Sequence, residues 1–150
     1  MTDITPLDAT PKDITPSVLA LQSALAEMPQ YVPETKHYFA DGMYCRSVFR
    51  HAGVLVVGKV HKKEHFYMIV EGAVAVIQEG AERKIYRAPS IIVSKPGTKR
   101  AVLAIEDSTC ITVHRTDKTD LAEIEAELIE DEPGALFGPG NQLKSLEHKQ

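Results

Sequence analysis

The sequence predicts a mainly β protein, a sandwich or a barrel, with a short helix at each end. Its 150 residues are 43% hydrophobic and 25% charged, which is typical of one globular domain that buries a real core. Between residues 36 and 116, about eight short β-rich runs alternate with turn signals such as Asp41-Gly42, Glu71-Gly72 and Pro96-Gly97, and no helical pattern separates them. The predicted strands cover residues 44–49, 53–60, 66–70, 73–78, 83–87, 90–93, 100–105 and 109–114.

Residues 1–35 are predicted to form an extended arm followed by a short helix. Three prolines within the first 16 residues favour the arm. Thr15 is the predicted N-cap and Pro16 the first helical residue. Apolar residues then recur at helical spacing at Val18, Leu21, Leu25 and Met28, and the prolines at 29 and 33 end the pattern.

Residues 117–150 are predicted to form an acidic helix and a tail beyond the barrel of residues 36–116. Asp120 is the expected N-cap, and Glu123 completes a capping box. The apolar stripe of this helix consists of Leu121, Ile124, Leu128 and Ile129. In the Gly- and Pro-rich tail, Leu136 and Phe137 are expected to anchor on this barrel or on a neighbouring subunit.

Charge and cysteine content exclude several classes of protein. The formal net charge is −4, and residues 117–132 hold eight acids against one base, whereas residues 34–115 hold thirteen Lys and Arg against eight Asp and Glu. A chain with a pI near 5.9 is not expected to bind nucleic acid. The apolar runs are all shorter than the roughly 18 residues of a membrane helix, so no membrane partner is expected. With no export signal, Cys45 and Cys110 are expected to be free thiols in a cytoplasm.

One constellation carries most of the chemistry, the stretch from Gly58 to Gly72 that reads GKVHKKEHFYMIVEG. A second stretch, PSIIVSKPGTKR, spans residues 89–100. The two resemble the first and second sequence motifs of the cupins. The resemblance covers residues 53–115 and implies a double-stranded β-helix, the small jelly-roll barrel of that family. Cupins usually hold a divalent metal through two His and one Glu of the first motif and one His of the second.

The match to those metal positions is partial. Aligned on Gly72, the first His position holds Lys59 and the second holds His61, while His65 stands at the Glu position. Arg100 stands at the last His position. Two of the four ligand positions have therefore become cations.

Two kinds of ligand fit these residues. His61 and His65, four residues apart, chelate a metal such as Zn, Ni, Fe or Mn if Glu64 or His114 supplies a third ligand. His114 shares a predicted strand face with Cys110 and Thr112. Alternatively, Lys59 and Arg100 repel a dication and suit a small anion, for which a guanidinium is a planar fork. The predicted ligand-binding set, at one mouth of the barrel, is Lys59, His61, His65, Tyr67, Arg100 and His114. A vestigial, empty site is the third possibility.

Five stretches also resemble a group of small cupin-like proteins of tailed bacteriophages: residues 37–44, 58–65, 94–100, 106–109 and 112–117. The resemblance implies a phage origin and a location in the host cytoplasm or in the virion. It implies no activity.

Three functions remain open from the sequence. The leading hypothesis is a binding protein that holds a small anionic or metal-chelated ligand, for example to sequester a host signal or metabolite. The alternatives are a metal-dependent cupin enzyme, namely an isomerase, lyase or oxygenase, and a structural or assembly protein of the virion. Because a jelly roll leaves sheet edges and one face to cover, a homodimer or larger homo-oligomer is expected.

Overall fold

Two antiparallel sheets face each other in the computed structural model, which describes residues 17–30 and 32–131. One sheet has five strands in the order β1-β2-β9-β4-β7, and the other has four in the order β3-β8-β5-β6. Helix α1 (Val18–Ala26) precedes the strands and helix α2 (Leu121–Leu128) follows them. The strands are β1 Glu34–Ala40, β2 Met43–Arg50, β3 Leu55–Val57, β4 His65–Glu71, β5 Ala73–Gln78, β6 Lys84–Arg87, β7 Ser90–Ser94, β8 Arg100–Ala104 and β9 Ser108–Arg115. The predicted fold class is confirmed.

Two strands differ from the sequence prediction. Strand β1 was not predicted as a strand, yet it pairs along its whole length with β2. It is an edge strand whose polar residues, such as Thr35 and Lys36, give little period-two apolar signal. Strand β3 was expected over residues 53–60 but is confined to Leu55–Val57, where it pairs with β8. Gly53 on one side of it has a φ of +91°, which takes that residue out of extended conformation.

The two helices begin at capped residues. Helix α1 begins at Val18 with Ser17 as its N-cap, so the prediction of Thr15 as the cap was wrong. The Ser17 hydroxyl accepts a hydrogen bond from the Ala20 N–H at 2.9 Å. Thr15 and Pro16 themselves lie outside the described residues. Asp120 caps α2 as predicted, and its side chain accepts from the Glu123 N–H at 3.0 Å.

The core lies between the sheets and is built from alternate residues of the long strands. Its central cluster consists of Tyr67, Ile69, Val74, Val76, Val102 and Cys110. Along β9, Ser108, Cys110, Thr112 and His114 are all buried, as expected from the predicted strand face. Toward the β1–β2 end, Ile124 and Leu128 of α2 pack on Tyr44 as a second cluster. The polar end of the β9 face therefore lies beneath α2.

Cys45 and Cys110 are both free thiols. They lie on the neighbouring strands β2 and β9, where Cys45 is partly buried and Cys110 is buried. Neither described helix has the length and apolarity needed to cross a membrane. The predicted arm of residues 1–16 and the predicted anchor of Leu136 and Phe137 lie outside the described residues.

Candidate metal and ligand site

Three imidazoles converge at one end of the barrel. The ring centroids of His61 and His65 are 4.3 Å apart, those of His65 and His114 are 4.5 Å apart, and those of His61 and His114 are 5.2 Å apart. One nitrogen from each ring lies within 4.8 Å of the other two. These three residues are called the three-histidine centre below. It unites two residues of the first motif with one from the last strand.

The strand order explains why a residue 49 positions later in the chain joins the motif. Strands β4 and β9 are neighbours, and Phe66 pairs with Val113, so the adjoining His65 and His114 lie side by side on the inner face. His61 precedes β4 and forms an isolated antiparallel bridge with Ile129, just beyond α2. The same turn is held by the Gly97 N–H, which donates to the His61 carbonyl at 3.0 Å.

Neighbouring groups fix the orientation of the rings. The Nδ1 of His65 lies 3.2 Å from the Lys63 carbonyl, which only accepts, so this nitrogen donates and Nε2 keeps its lone pair. Nε2 of His114 lies 2.9 Å from the Thr112 hydroxyl. The His114 ring also stacks on Tyr44 at 5.7 Å, and the Tyr44 hydroxyl lies 2.7 Å from Nδ1 of His37. Hydrogen-bonded support of this kind orients histidine ligands in metal sites.

The centre is electrically neutral at physiological pH. Burial is the main cause that lowers the pKa of His61 to about 3, and the neighbouring His65 and Arg46 lower it further. Burial likewise lowers the pKa of His114 to about 2, with contributions from His65 and His61. The pKa of His65 is lowered as well, again chiefly by burial. Neutral imidazole is the form that binds metals.

A small cavity of about 30 Å³ adjoins the centre. Its walls include His61, His114, Tyr44 and Arg46, and its roof is the apolar face of α2 with Glu125. One water molecule needs roughly 10–15 Å³ of cavity volume, so this cavity has room for an ion and very few further atoms. The site beneath α2 is therefore built for a small occupant.

Hydrogen bonds and an ion pair hold helix α2 against the segment around His61. The Lys62 N–H donates to the Leu128 carbonyl at 2.7 Å, and the Glu130 N–H donates to the Val60 carbonyl at 2.9 Å. Lys59 forms a partly buried ion pair with Glu125 at 3.2 Å. Exposed pairs add little, but a half-buried pair next to two backbone bonds holds the helix in register.

The structure brings three of the predicted site residues together in the three-histidine centre and directs Lys59 and Glu64 to other partners. Lys59 is directed to Glu125 of α2, while Glu64 is exposed and pairs with Lys95 at 2.7 Å, away from the centre. Tyr67 is buried deeper in the barrel. Arg100 lies over the Tyr67 ring, with its Cζ 5.5 Å from the centroid, and its Nη2 donates to the Ser94 hydroxyl at 3.1 Å.

Sequence reasoning missed the contribution of β2. Tyr44 and Arg46 line the cavity, and both lie on the inner face of this strand. The available signal was the period-two series Tyr44, Arg46, Val48 and Arg50, which alternates with Cys45, Ser47 and Phe49. Because both faces mix polar and apolar residues, the pattern alone does not tell which face is inside.

Comparisons with known proteins agree with this architecture. No protein family and no curated protein matches the sequence. Among solved structures, a cupin superfamily protein from Desulfitobacterium hafniense matches with a TM-score of 0.50 and 10% identity over 63% of this chain and 87% of that chain. The cupin domain of Cnp3 from Schizosaccharomyces pombe matches with a TM-score of 0.50 and 16% identity over 62% and 72%. A cupin 2 conserved barrel domain protein from Salinispora arenicola matches with a TM-score of 0.47 and 15% identity over 59% and 81%.

Two facing antiparallel sheets with polar side chains converging at one end of the barrel define a jelly-roll protein of the cupin type. This chain has the cupin fold. At 10% and 16% identity, the likeness to the first two of these structures concerns the fold alone.

The residues present fit a transition metal. Three neutral imidazoles are donors that Zn, Ni and Fe accept, and one nitrogen of each ring lies within 4.8 Å of the other two. The third ring comes from β9 rather than from the second motif, where Arg100 stands.

Proposed function

We propose that this chain is a binding protein that holds a divalent transition metal and, coordinated to it, a small anionic ligand. His61, His65 and His114 hold the metal. The observation that carries the proposal is the convergence of three uncharged imidazoles, with one nitrogen of each within 4.8 Å of the others. Zn, Ni, Fe and Mn are the candidate ions, and imidazole ligands favour the first three. The metal supplies a positive charge and open coordination positions to which an anion binds.

Metal titration tests this proposal. The full chain is stripped with a chelator and titrated with Zn²⁺ or Ni²⁺ in a calorimeter. We expect one ion per chain. His61→Ala, His65→Ala and His114→Ala should each lower the affinity by more than the roughly 10–100-fold that loss of a supporting residue costs. His51→Ala, an exposed histidine outside the centre, is the matched control. Equal affinity in all four variants, or no binding by the wild type, would overturn the assignment.

A metal-dependent enzyme is the second candidate. Catalytic metal sites have three protein ligands and an open position, and among the described residues the cluster consists of three histidines without a fourth ligand. An isomerase, lyase or oxygenase is consistent with that count. One experiment distinguishes the two functions. The ligand is released from the purified protein and added back to metal-loaded protein, and its mass is followed by mass spectrometry. Recovery of unchanged ligand supports the binding protein, and a metal-dependent mass change or isomerisation supports the enzyme.

We further propose that the protein is encoded by a phage and acts in the host cytoplasm, where it sequesters a host metabolite or signal. The support is the resemblance of five stretches to small phage cupin-like proteins. The cavity volume favours a ligand of few atoms over a whole nucleotide. Proteomics of infected cells and purified virions tests the location. Enrichment in virions supports the assembly role instead.

We propose that the chain forms a homodimer through the outer face of the five-stranded sheet. Phe66 of β4 pairs with Val93 of β7, and their side chains are 49% and 47% exposed. Ile91, two residues before Val93, is 68% exposed, which extends an apolar patch. Light scattering should give a dimer mass that Ile91→Lys lowers to a monomer mass. Ile85→Lys changes an equally apolar, exposed residue of the other sheet and is the control.

A further inference from the structure

Three arginines extend into the barrel below the three-histidine centre. Arg46 and Arg50 lie on the inner face of β2, and Arg100 begins β8 in the opposite sheet. Arg50 donates from Nη1 to the Tyr67 hydroxyl at 3.5 Å, and Arg100 lies over the same ring. Arg46 lines the cavity beside His61. The guanidinium groups of Arg50 and Arg100 thus lie at Tyr67, and Arg46 lies beside the three-histidine centre.

Each of these guanidinium groups carries a buried donor without a partner. The Nε atoms of Arg46, Arg50 and Arg100 are the buried side-chain polar atoms that lack a hydrogen bond within the described part of the chain. Buried donors in native proteins nearly always have partners, because an unpaired one loses its hydrogen bonds to water without replacement. Three such atoms within one barrel indicate that something else supplies the acceptors.

The charge of the interior is also unbalanced. No Asp or Glu belongs to the buried residues of the described segments, whereas Arg50 is buried with 7% exposure. Glu125 is the carboxylate that acts on Arg46, and it already pairs with Lys59. Burial lowers the pKa of Arg46, because a buried cation loses its contact with water. A dication at the three-histidine centre would add to the imbalance, because buried charges are stable only when they are paired.

We infer that Arg46, Arg50 and Arg100 form the anion-binding wall of the site, and that the ligand they take is a small carboxylate. This inference rests on the proposed metal site in one respect, namely that the carboxylate also coordinates the metal. A carboxylate is planar and matches the guanidinium fork. The cavity of about 30 Å³, which Arg46 lines together with His61 and His114, accepts a group of its size.

The arrangement makes metal and carboxylate bind cooperatively. The carboxylate offsets the repulsion between the arginines and the metal, so each ligand raises the affinity of the other by the same factor. Arg46 carries most of this coupling because it lines the cavity with His61 and His114. Replacing Arg46 by Gln removes both the repulsion and the anion contact. Metal affinity without carboxylate should therefore rise or stay constant, while the effect of carboxylate disappears.

The experiment titrates Zn²⁺ into metal-free full-length protein with and without acetate, with acetamide as the uncharged analogue. We expect acetate to raise the wild-type Zn²⁺ affinity about 10-fold, and acetamide to leave it unchanged. Arg46→Gln should reduce the acetate effect to less than about 2-fold, and Arg46→Lys should recover part of it, because Lys keeps the charge but not the fork. Arg83→Gln, a change at an exposed arginine, should behave as wild type.

The outcomes distinguish failure of this inference from failure of the metal proposal. If Zn²⁺ binds but acetate has the same effect in wild type and Arg46→Gln, the arginine wall is refuted and the metal site stands. If Zn²⁺ does not bind, the melting temperature of metal-free protein is measured in acetate. An increase in wild type that Arg46→Lys diminishes supports the wall without the metal, and no increase refutes it. A larger effect of inorganic phosphate than of acetate refutes the carboxylate class.

Discussion

Acidification should destabilise the metal-free protein well before its carboxylates titrate. The pKa of His61 is held at about 3 and that of His114 at about 2, whereas in the unfolded chain a histidine titrates near 6.5. Between these values the unfolded state binds protons that the folded state does not. The free energy of unfolding therefore falls as the pH drops below about 6.5, by about 1.4 kcal/mol per pH unit for each such imidazole.

The magnitude follows from these two values. At pH 5 the free energy of unfolding is lower than at pH 8 by about 2 kcal/mol for each imidazole, so His61 and His114 together lower it by about 4 kcal/mol. The pKa of His65 is lowered too and adds a loss of the same sign. A domain with a total stability of about 5–15 kcal/mol loses a large part of it over this range.

Urea unfolding of chelator-treated protein at several pH values from 7.5 to 5.0 measures this loss. The chain has no tryptophan, so far-UV circular dichroism is the suitable signal. His114→Gln should unfold with a clearly smaller dependence on pH, because it removes one of the buried imidazoles. His51→Gln, at an exposed position, should retain the wild-type dependence. A wild-type protein whose free energy of unfolding is the same at pH 7.5 and pH 5.0 would refute the reasoning.

Three further outcomes are expected. Gly72→Ala should cost about 3 kcal/mol or more in urea unfolding, because Gly72 has a φ of +79° and a Cβ there would collide with the Asp107 carbonyl and the Ser108 backbone. Gly80→Ala, at a similar φ of +74° but with open space around it, should cost only about 1–2 kcal/mol, and equal losses would contradict this account. Ile124→Ala removes a buried contact beneath α2 and should destabilise the chain by about 2 kcal/mol or more, so an unchanged urea midpoint would show that α2 does not pack on the barrel. Thiol titration of denatured, non-reduced protein should count both Cys45 and Cys110, and a titre near zero would disprove free thiols.

The fold was largely predictable because its signals are local. Turn pairs such as Glu71-Gly72 separate runs with a period of two, and the motif around His61 fixes the barrel type. Strand β1 was not predicted because an edge strand buries few residues. Its sequence, which includes Lys36 and His37, therefore shows no alternation of apolar and polar residues. The start of α1 was misplaced by two residues because Thr15 and Ser17 are both good cap residues, which the local sequence does not distinguish.

The site was predictable only in part because it depends on which strands are neighbours. His61 and His65 come from one motif, but His114 joins them through the β4–β9 pairing, which no local pattern specifies. The role of Arg46 depends on which face of β2 is inside, and that is fixed by the whole barrel. The ammonium group of Lys59 pairs with Glu125 of α2, a contact between distant parts of the chain that no local pattern specifies.

The bridge between His61 and Ile129 links the three-histidine centre to the backbone that follows α2. His61 presents its ring to the centre while its backbone pairs with the segment that follows α2. An occupant that immobilises the ring therefore slows the opening of that segment. The amide hydrogens of Lys62 and Glu130, which close the bridge, should exchange with solvent more slowly in the occupied protein. Occupancy of the three-histidine centre is thus transmitted along the backbone to residues 129–131.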